Sequence, residues 1–107
     1  MDVEAIRERV RDGKYLVRSH AITHALKEGF GQDDIVTVVL EGRVIEEYEA
    51  EQRFLICGKT SLSKNASIYL HVICEYSDDV YVEFITAYFP DESLWEKPPY
   101  KRREPKL

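Results

Sequence analysis

The sequence has little glycine and little cysteine, and both shortages exclude classes of functional site. Its five glycines are scattered, so there is no glycine-rich loop to hold phosphates and no nucleophile elbow. Cys57 and Cys74 lie in separate apolar runs without a CxxC pair, which indicates buried free thiols rather than a disulfide framework or a metal knuckle. No apolar run is long enough to span a bilayer, and the acidic N-terminus is not typical of a signal peptide, so we expect a cytoplasmic protein.

Positive charge is scarce outside the C-terminus. The chain has a net charge of −5, but from Trp95 onward five basic residues stand against two acidic ones, a net charge of +3, which leaves −8 on residues 1–94. An acidic body argues against non-specific nucleic-acid binding, because such binding depends on neutralising phosphates, and it suits a basic partner equally well. With 107 residues, of which 44% are apolar, the chain is long enough for one domain with a single modest core.

Three segments near the N-terminus have the spacing of short amphipathic helices, at about 2–12, 20–28 and 35–40. Each follows an Asp or Ser that can cap a helix, and each ends before a glycine. The third is rich in β-branched residues and would also fit a strand, but its acidic start and terminal glycine favour a helix. The residues predicted to face inward are Val3, Ile6 and Val10 in the first segment, Ile22 and Leu26 in the second, and Ile35, Val38 and Val39 in the third.

Strand-like runs follow at 43–48 and 52–58, and two more flank Ser77-Asp78-Asp79. We expect residues 59–67 to be a polar loop and Pro90 to end the last strand. Because the helices precede the strands, the pattern predicts an α+β fold, with two to three N-terminal helices packed on one face of a four-stranded antiparallel β-sheet. Residues 1–94 would form the single domain. Residues 95–107 would form a basic, proline-containing arm, which from Lys97 is mobile or ordered by a partner and can be deleted from Pro99 without loss of the fold.

The face that each side chain occupies depends on the turn between the last two strands. With a two-residue loop at Asp78-Asp79, His71 lies beside Thr86 and Tyr69 beside Tyr88. The core face then carries Leu70, Val72, Cys74, Ile85 and Ala87, and the half-polar face carries Tyr69, His71, Glu75, Val82, Phe84, Thr86 and Tyr88. A change of one residue in the loop would exchange these faces.

Two groups of residues suggest chemistry. His20 and His24 have the i, i+4 spacing of two metal ligands on a helix, but the Glu of an HExxH motif is missing and no third ligand is placed. His71 stands in an otherwise apolar strand, and histidine is the side chain that titrates near neutral pH. Either group also fits a purely structural role. The arginines that could hold a phosphate beside His71 are Arg53, Arg43 and Arg18.

The chain resembles domain-of-unknown-function family 4258 in five segments that occur in the same order: RSHAITHALKEG, DDIVTVVLEGRVIEEY, FLICGK, YLHVICEY and ITAYFPDESLW. The resemblance covers roughly residues 10–103. His24 departs from the family pattern, since many members have an arginine at this position. The residues that match the recurrent positions of the family are His20, His71, Thr86, Tyr88 and Trp95.

The resemblance implies the architecture of the RelE-like and barnase–EndoU–colicin group of small metal-independent ribonucleases. It also implies a toxin–antitoxin pair, because members often occur beside a small zinc-finger antitoxin-like protein. We therefore expect a toxin-like endoribonuclease that cleaves RNA by general acid–base catalysis without a cofactor. The alternative is a non-catalytic protein-interaction module that uses the half-polar sheet face. The expected catalytic residues are His71, His20, Arg53, Thr86 and Tyr88, and the expected substrate-binding residues are Tyr69 and Trp95.

Overall fold

The computed structural model describes residues 1–63 and 66–104, and it confirms the α+β class. The strands form one mixed sheet in the order β1-β5-β4-β3-β2, in which β1 runs parallel to β5 and the other neighbours are antiparallel. The predicted four-stranded antiparallel sheet is therefore wrong in strand number and in one strand direction. The elements are α1 (Val3–Arg11), β1 (Tyr15–Val17), α2 (Ser19–Glu28), α3 (Gln32–Glu41), β2 (Arg43–Tyr48), β3 (Arg53–Ser63), β4 (Ala66–Glu75) and β5 (Val82–Tyr88).

The strand that the sequence pattern missed is β1. It is only three residues long, and its partner on β5 lies more than sixty residues further along the chain. Backbone hydrogen bonds extend the pairing at both ends, from Val82 N–H to the Lys14 carbonyl and from Arg18 N–H to the Phe84 carbonyl, each 3.1 Å long. No periodicity develops over three residues, so only the distant partner makes this segment a strand.

All three predicted helices form, but only α1 has the predicted cap, since α2 begins at Ser19 itself and α3 begins at Gln32, before the predicted start. The Asp2 side chain accepts a hydrogen bond from Glu4 N–H at the start of α1, and Gly29 ends α2 in the left-handed conformation with φ of 86°. At the start of α3, Gly31 N–H donates to the Asp34 carboxylate at 2.7 Å. Within the described ranges, no helix is long and apolar enough to cross a membrane.

The buried side of α2 differs from the prediction. Ala21 and Ala25 face inward, whereas the predicted Ile22 and Leu26 have exposed fractions of 47% and 80%. Helix α2 packs on β5, and the small alanine side chains let its backbone approach the sheet closely. The two larger apolar residues, four apart on the helix, are left on the surface.

All three helices cover the same side of the sheet, which we call the helical face. The opposite side is the outer face. The helices contribute Ile6, Val10, Ala25, Ile35, Val38 and Val39 to the main core, and the strands contribute Phe54, Ile56, Leu70, Val72, Cys74, Val82, Phe84 and Ala87.

The connection between β4 and β5 is six residues long, from 76 to 81, rather than two. The Asp78 carboxylate organises it by accepting hydrogen bonds from Val80 N–H and Tyr81 N–H, each 2.8 Å long. The longer loop shifts the predicted pairing by one residue, and a bulge in β5 adds a second, so His71 pairs with Tyr88 and the predicted pairing with Thr86 is wrong by two residues.

A bulge in β5 also changes which residues face the core. Ile73 pairs with Thr86, but the next residue, Cys74, pairs with Phe84, so Ile85 is an extra residue without a partner on β4. Before the bulge the alternation is reversed, and Phe84 and Val82 join the core although we predicted them on the other face. Ile85, predicted in the core, is only partly buried.

The predicted loop at 59–67 is largely strand. β3 continues to Ser63 and β4 begins at Ala66, while positions 64 and 65 of that prediction lie outside the described residues. Thr60 is buried, and its hydroxyl donates to the carboxylate of Asp34 on α3. This contact with a helix supports the extended conformation, although the local sequence is polar.

Residues 95–104, which we call the C-terminal segment, lie on the outer face. Trp95 has an exposed fraction of 3% and forms an isolated bridge with Arg102. Glu96 N–H donates to the Lys101 carbonyl at 2.9 Å, which closes the segment into a compact turn. These residues therefore contact the sheet, with Trp95 in a buried position, while the mobility of the arm stays a prediction. Residue 94 as the boundary of an independently folding unit stays a prediction.

Candidate functional site on the outer face

His71 lies at the centre of the outer face and is completely buried. Cross-strand pairing places it between Cys57 on β3 and Tyr88 on β5. The Trp95 indole covers it from above, with ring centroids 4.5 Å apart and the rings nearly perpendicular. Its exposed fraction is 0%. The histidine therefore faces the predicted side of the sheet, but the C-terminal segment separates it from solvent.

Both ring nitrogens of His71 have partners within the chain. Nε2 lies 2.8 Å from the Pro99 carbonyl oxygen, which can only accept, so Nε2 carries the proton. Burial lowers the pKa of His71 although the Pro99 hydrogen bond opposes the shift. In the resulting neutral imidazole, Nδ1 accepts from the Tyr88 hydroxyl at 3.3 Å. Neither nitrogen is free to exchange a proton with a substrate in this arrangement.

An ion pair beside His71 fastens the C-terminal segment to β2. The Arg102 guanidinium donates to both carboxylate oxygens of Glu46, at 2.9 and 3.1 Å, and lies 4.5 Å from the centre of the Trp95 ring. Burial tends to raise the pKa of Glu46, but hydrogen bonds from Arg102 and Tyr48 outweigh burial and lower it. The segment is therefore held by a buried indole, a backbone carbonyl and a bidentate ion pair.

The arginine that we predicted as the phosphate ligand lies at the other end of the face and is engaged by an acid. Arg53 donates to Glu75 at 2.9 Å. Arg18 pairs with Glu83 and lies 3.6 Å from Glu75. These four charges form a row across the sheet in which each guanidinium has a carboxylate partner.

The structure does not bring His20 or Thr86 to His71. His20 is exposed on α2, which covers the helical face, and the centre of its ring lies 4.6 Å from that of the His24 ring, with the two rings tilted. His24 Nδ1–H donates to the Ala87 carbonyl at 3.2 Å, where β5 extends beyond the short β1. Thr86 shares the outer face with His71 but is paired with Ile73. Residues 1–63 and 66–104 contain no group of three or more His, Cys, Asp or Glu that could hold a metal ion.

Two cations and two phenols, which we call the basic–aromatic cluster, lie at the end of the face opposite the Arg53 row. The Arg43 guanidinium lies 4.4 Å from the centre of the Tyr100 ring, and the Lys59 ammonium lies 5.2 Å from the centre of the Tyr69 ring. Tyr69 and Tyr100 contact each other edge to face at 5.8 Å. Sequence reasoning named Tyr69 and Arg43 but missed Lys59 and Tyr100. The sequence feature that could have indicated this cluster is the position of Tyr100 among the basic residues of the C-terminal segment.

Comparison with known proteins identifies the family. The model for Domain of unknown function (DUF4258) matches residues 17–89, which is more than half of the chain. The chain belongs to the DUF4258 family. No curated protein and no solved structure matches it. The DUF4258 match contains His71 and Tyr88 but ends before Trp95, so the C-terminal segment that covers the histidine lies outside the matched region.

Proposed function

We propose that this chain is a toxin-like, metal-independent endoribonuclease of the RelE-like group and that it binds RNA on the outer face. The observation that carries the proposal is the position of the basic C-terminal segment. Lys101, Arg102 and Arg103 fold onto the same side of the sheet as Arg43 and Lys59. Charges that are far apart in the sequence are thereby gathered where RNA would lie.

The local gathering of basic residues is compatible with RNA binding even though the net charge of the chain is negative. RNA senses the local potential of the surface that it approaches rather than the total charge of the protein. Two acids of this region have basic partners, since Glu46 is paired with Arg102 and the Glu92 carboxylate lies 3.1 Å from the Lys97 ammonium. A positive surface can therefore exist on a chain whose net charge is −5.

The catalytic roles predicted from sequence change in this proposal. His20 lies on the other side of the sheet and cannot share proton transfer with His71. Tyr88 replaces it, because its hydroxyl already contacts His71 Nδ1. Proton transfer to RNA then requires the C-terminal segment to leave the histidine, since the Pro99 carbonyl occupies Nε2.

The test is cleavage of end-labelled single-stranded RNA in the presence of EDTA. We compare the full chain, a Glu46→Ala variant that removes the partner of Arg102 but keeps every basic residue, and the same variant with His71→Gln, with folding checked by circular dichroism. Cleavage that increases when the ion pair is broken, and that disappears with His71→Gln, supports the proposal. If no folded form cleaves RNA, the ribonuclease function is wrong.

The second candidate is a non-catalytic protein-interaction module, and two observations favour it. His71 is buried with both nitrogens satisfied, as expected for a structural histidine. Ile22 and Leu26 are exposed one turn apart on α2, which suits an apolar contact with another protein. The same helix could bind the zinc-finger antitoxin-like partner implied by the family resemblance. A double Ile22→Ser, Leu26→Ser variant that loses a co-purified partner but keeps its fold would support this role.

A further inference from the structure

The cations of the basic–aromatic cluster differ in their surroundings from the other arginines considered as phosphate ligands. Arg53 and Arg18 are paired with Glu75 and Glu83. Among the described residues, no carboxylate lies within 4 Å of the Arg43 guanidinium or the Lys59 ammonium. Glu41 lines the same cavity but is not within this distance.

Arg43 interacts with the Tyr100 hydroxyl, but most of the hydrogen-bonding capacity of Arg43 and Lys59 is left available. Each lies over the face of a tyrosine ring, and a cation–π contact uses the charge but does not require an N–H donor. A guanidinium has five N–H donors in a planar fork that matches a phosphate, and an ammonium has three. The rings restrict where the two cations lie, so less side-chain freedom is lost when an anion binds.

Two cavities meet at Tyr69. One has a volume of about 340 Å³ and is lined by Arg43, Lys59, Tyr69 and Tyr100. The other has a volume of about 350 Å³ and is lined mainly by apolar groups, including Pro98 and Pro99, with Tyr69 as the shared wall. Both are at the lower end of the size range of small-ligand sites, which is about 300–1,000 Å³. One side of Tyr69 is thus suited to an anion and the other to a flat apolar ring.

We infer that the basic–aromatic cluster binds one nucleotide unit of single-stranded RNA. Arg43 and Lys59 hold the phosphate, and Tyr69 contacts the base on the side of the apolar cavity. The choice of RNA rests on the proposed function, whereas the binding of a nucleotide rests on the geometry of the cluster alone. Tyr100 lies in the C-terminal segment, so the same segment that covers His71 completes this site.

The test measures binding rather than cleavage, on the full-length chain. The probes are uridine 5′-monophosphate, uridine, inorganic phosphate, a fluorescent six-nucleotide RNA and the DNA of the same sequence. We expect the monophosphate to bind more tightly than either uridine or phosphate, and the RNA hexamer to bind more tightly still. Arg43→Gln and Lys59→Gln should each weaken hexamer binding about tenfold. Tyr69→Leu should weaken it about tenfold and remove the preference for the monophosphate over phosphate.

Matched controls separate the site from general charge attraction. Lys27→Gln removes an exposed lysine from α2 on the helical face, and Tyr81→Leu removes an exposed tyrosine from the β4–β5 connection. Neither should change hexamer affinity more than about twofold. The slope of log affinity against log salt should fall by about 0.7 for Lys59→Gln and by less for Lys27→Gln.

Several results would overturn the inference. Equal weakening by Lys27→Gln and Lys59→Gln would mean that only net charge matters. Phosphate binding as tightly as the monophosphate would remove the role of Tyr69. A poly-glutamate peptide that displaces the RNA at equal charge concentration would assign the surface to acidic proteins, and equal binding of the DNA would remove RNA as the specific ligand. Nucleotide binding by the full-length chain, with no cleavage by any folded form in the RNA cleavage assay, would refute the proposed nuclease but leave this site standing.

Discussion

The His71 Nε2 atom lies 2.8 Å from the Pro99 carbonyl oxygen, and this hydrogen bond joins the middle of the sheet to a segment 28 residues further along the chain. It fixes the tautomer of the imidazole and, because Pro99 precedes Tyr100, holds Tyr100 of the basic–aromatic cluster next to Arg43. One contact therefore connects the stability of the outer face with both proposed functional sites. The predictions below test that connection.

Replacing His71 should destabilise the protein, contrary to the small cost that a surface histidine would have. His71→Ala removes a fully buried ring and leaves the Pro99 carbonyl and the Tyr88 hydroxyl without their partner. We expect the free energy of unfolding to fall by about 2–4 kcal/mol, measured by urea denaturation. Thr86→Ala on the same face is the control and should cost less than about 1 kcal/mol. Equal, small costs for both variants would contradict the buried placement.

Stability should decrease as the pH falls below neutrality. Burial lowers the pKa of His71 in the folded state below its ordinary value of 6.5, so the unfolded chain binds a proton that the folded chain does not. The stabilisation that comes from keeping His71 neutral is fully present above about pH 6.5 and is lost as the pH falls toward the pKa of the folded state. Over that range the free energy of unfolding should change by at most about 1.4 kcal/mol per pH unit. Urea denaturation between pH 7.5 and 5 should show this slope in the wild type, and His71→Gln should lack it. An identical slope in both proteins would assign the effect to other groups.

Gly42 should not tolerate a side chain. A Cβ atom at this position would lie 2.6 Å from the Cys57 carbonyl oxygen, and the backbone of β3 cannot move away without disturbing the sheet. We expect Gly42→Ala to lower the free energy of unfolding by about 1–3 kcal/mol. In Gly31→Ala the nearest atom to the new Cβ is 3.8 Å away, so this control should cost less than about 1 kcal/mol. A Gly42→Ala protein as stable as Gly31→Ala would show that α3 and β3 are further apart.

Ending the chain at Pro98 should lower the thermal midpoint by more than about 5 °C, on the order of 1 kcal/mol for a domain of this size. The shortened chain loses the Pro99 carbonyl bound to His71 and the Arg102–Glu46 ion pair. Differential scanning calorimetry measures the change. Lys97→Gln is the control in the same segment, since both partners of the Lys97–Glu92 pair are largely exposed, and it should alter stability by less than about 0.5 kcal/mol. An unchanged thermal midpoint in the shortened chain would mean that the residues after Pro98 are not needed for stability.

The sequence alone was sufficient for the existence of the three helices and for the alternation of the central strand β4. Capping residues and glycines predicted three helices, and alternation predicted that Leu70, Val72 and Cys74 face the core. These features depend on neighbours only a few residues away, and their periodicity is visible in the chain itself. The motifs also predicted the family, which the match over residues 17–89 confirmed.

Only the tertiary structure decided the composition of the outer face. The bulge at Ile85 shifted the register by one residue, and a shift of one residue exchanges the two faces of a strand. The pairing of Tyr15–Val17 with β5 and the placement of Pro99 over His71 join segments far apart in the chain. Such contacts form because of the free energy of the whole packed domain, so no local pattern contains them. The sequence predicted the basic charge of the C-terminal segment, but it did not predict where that segment lies on the sheet.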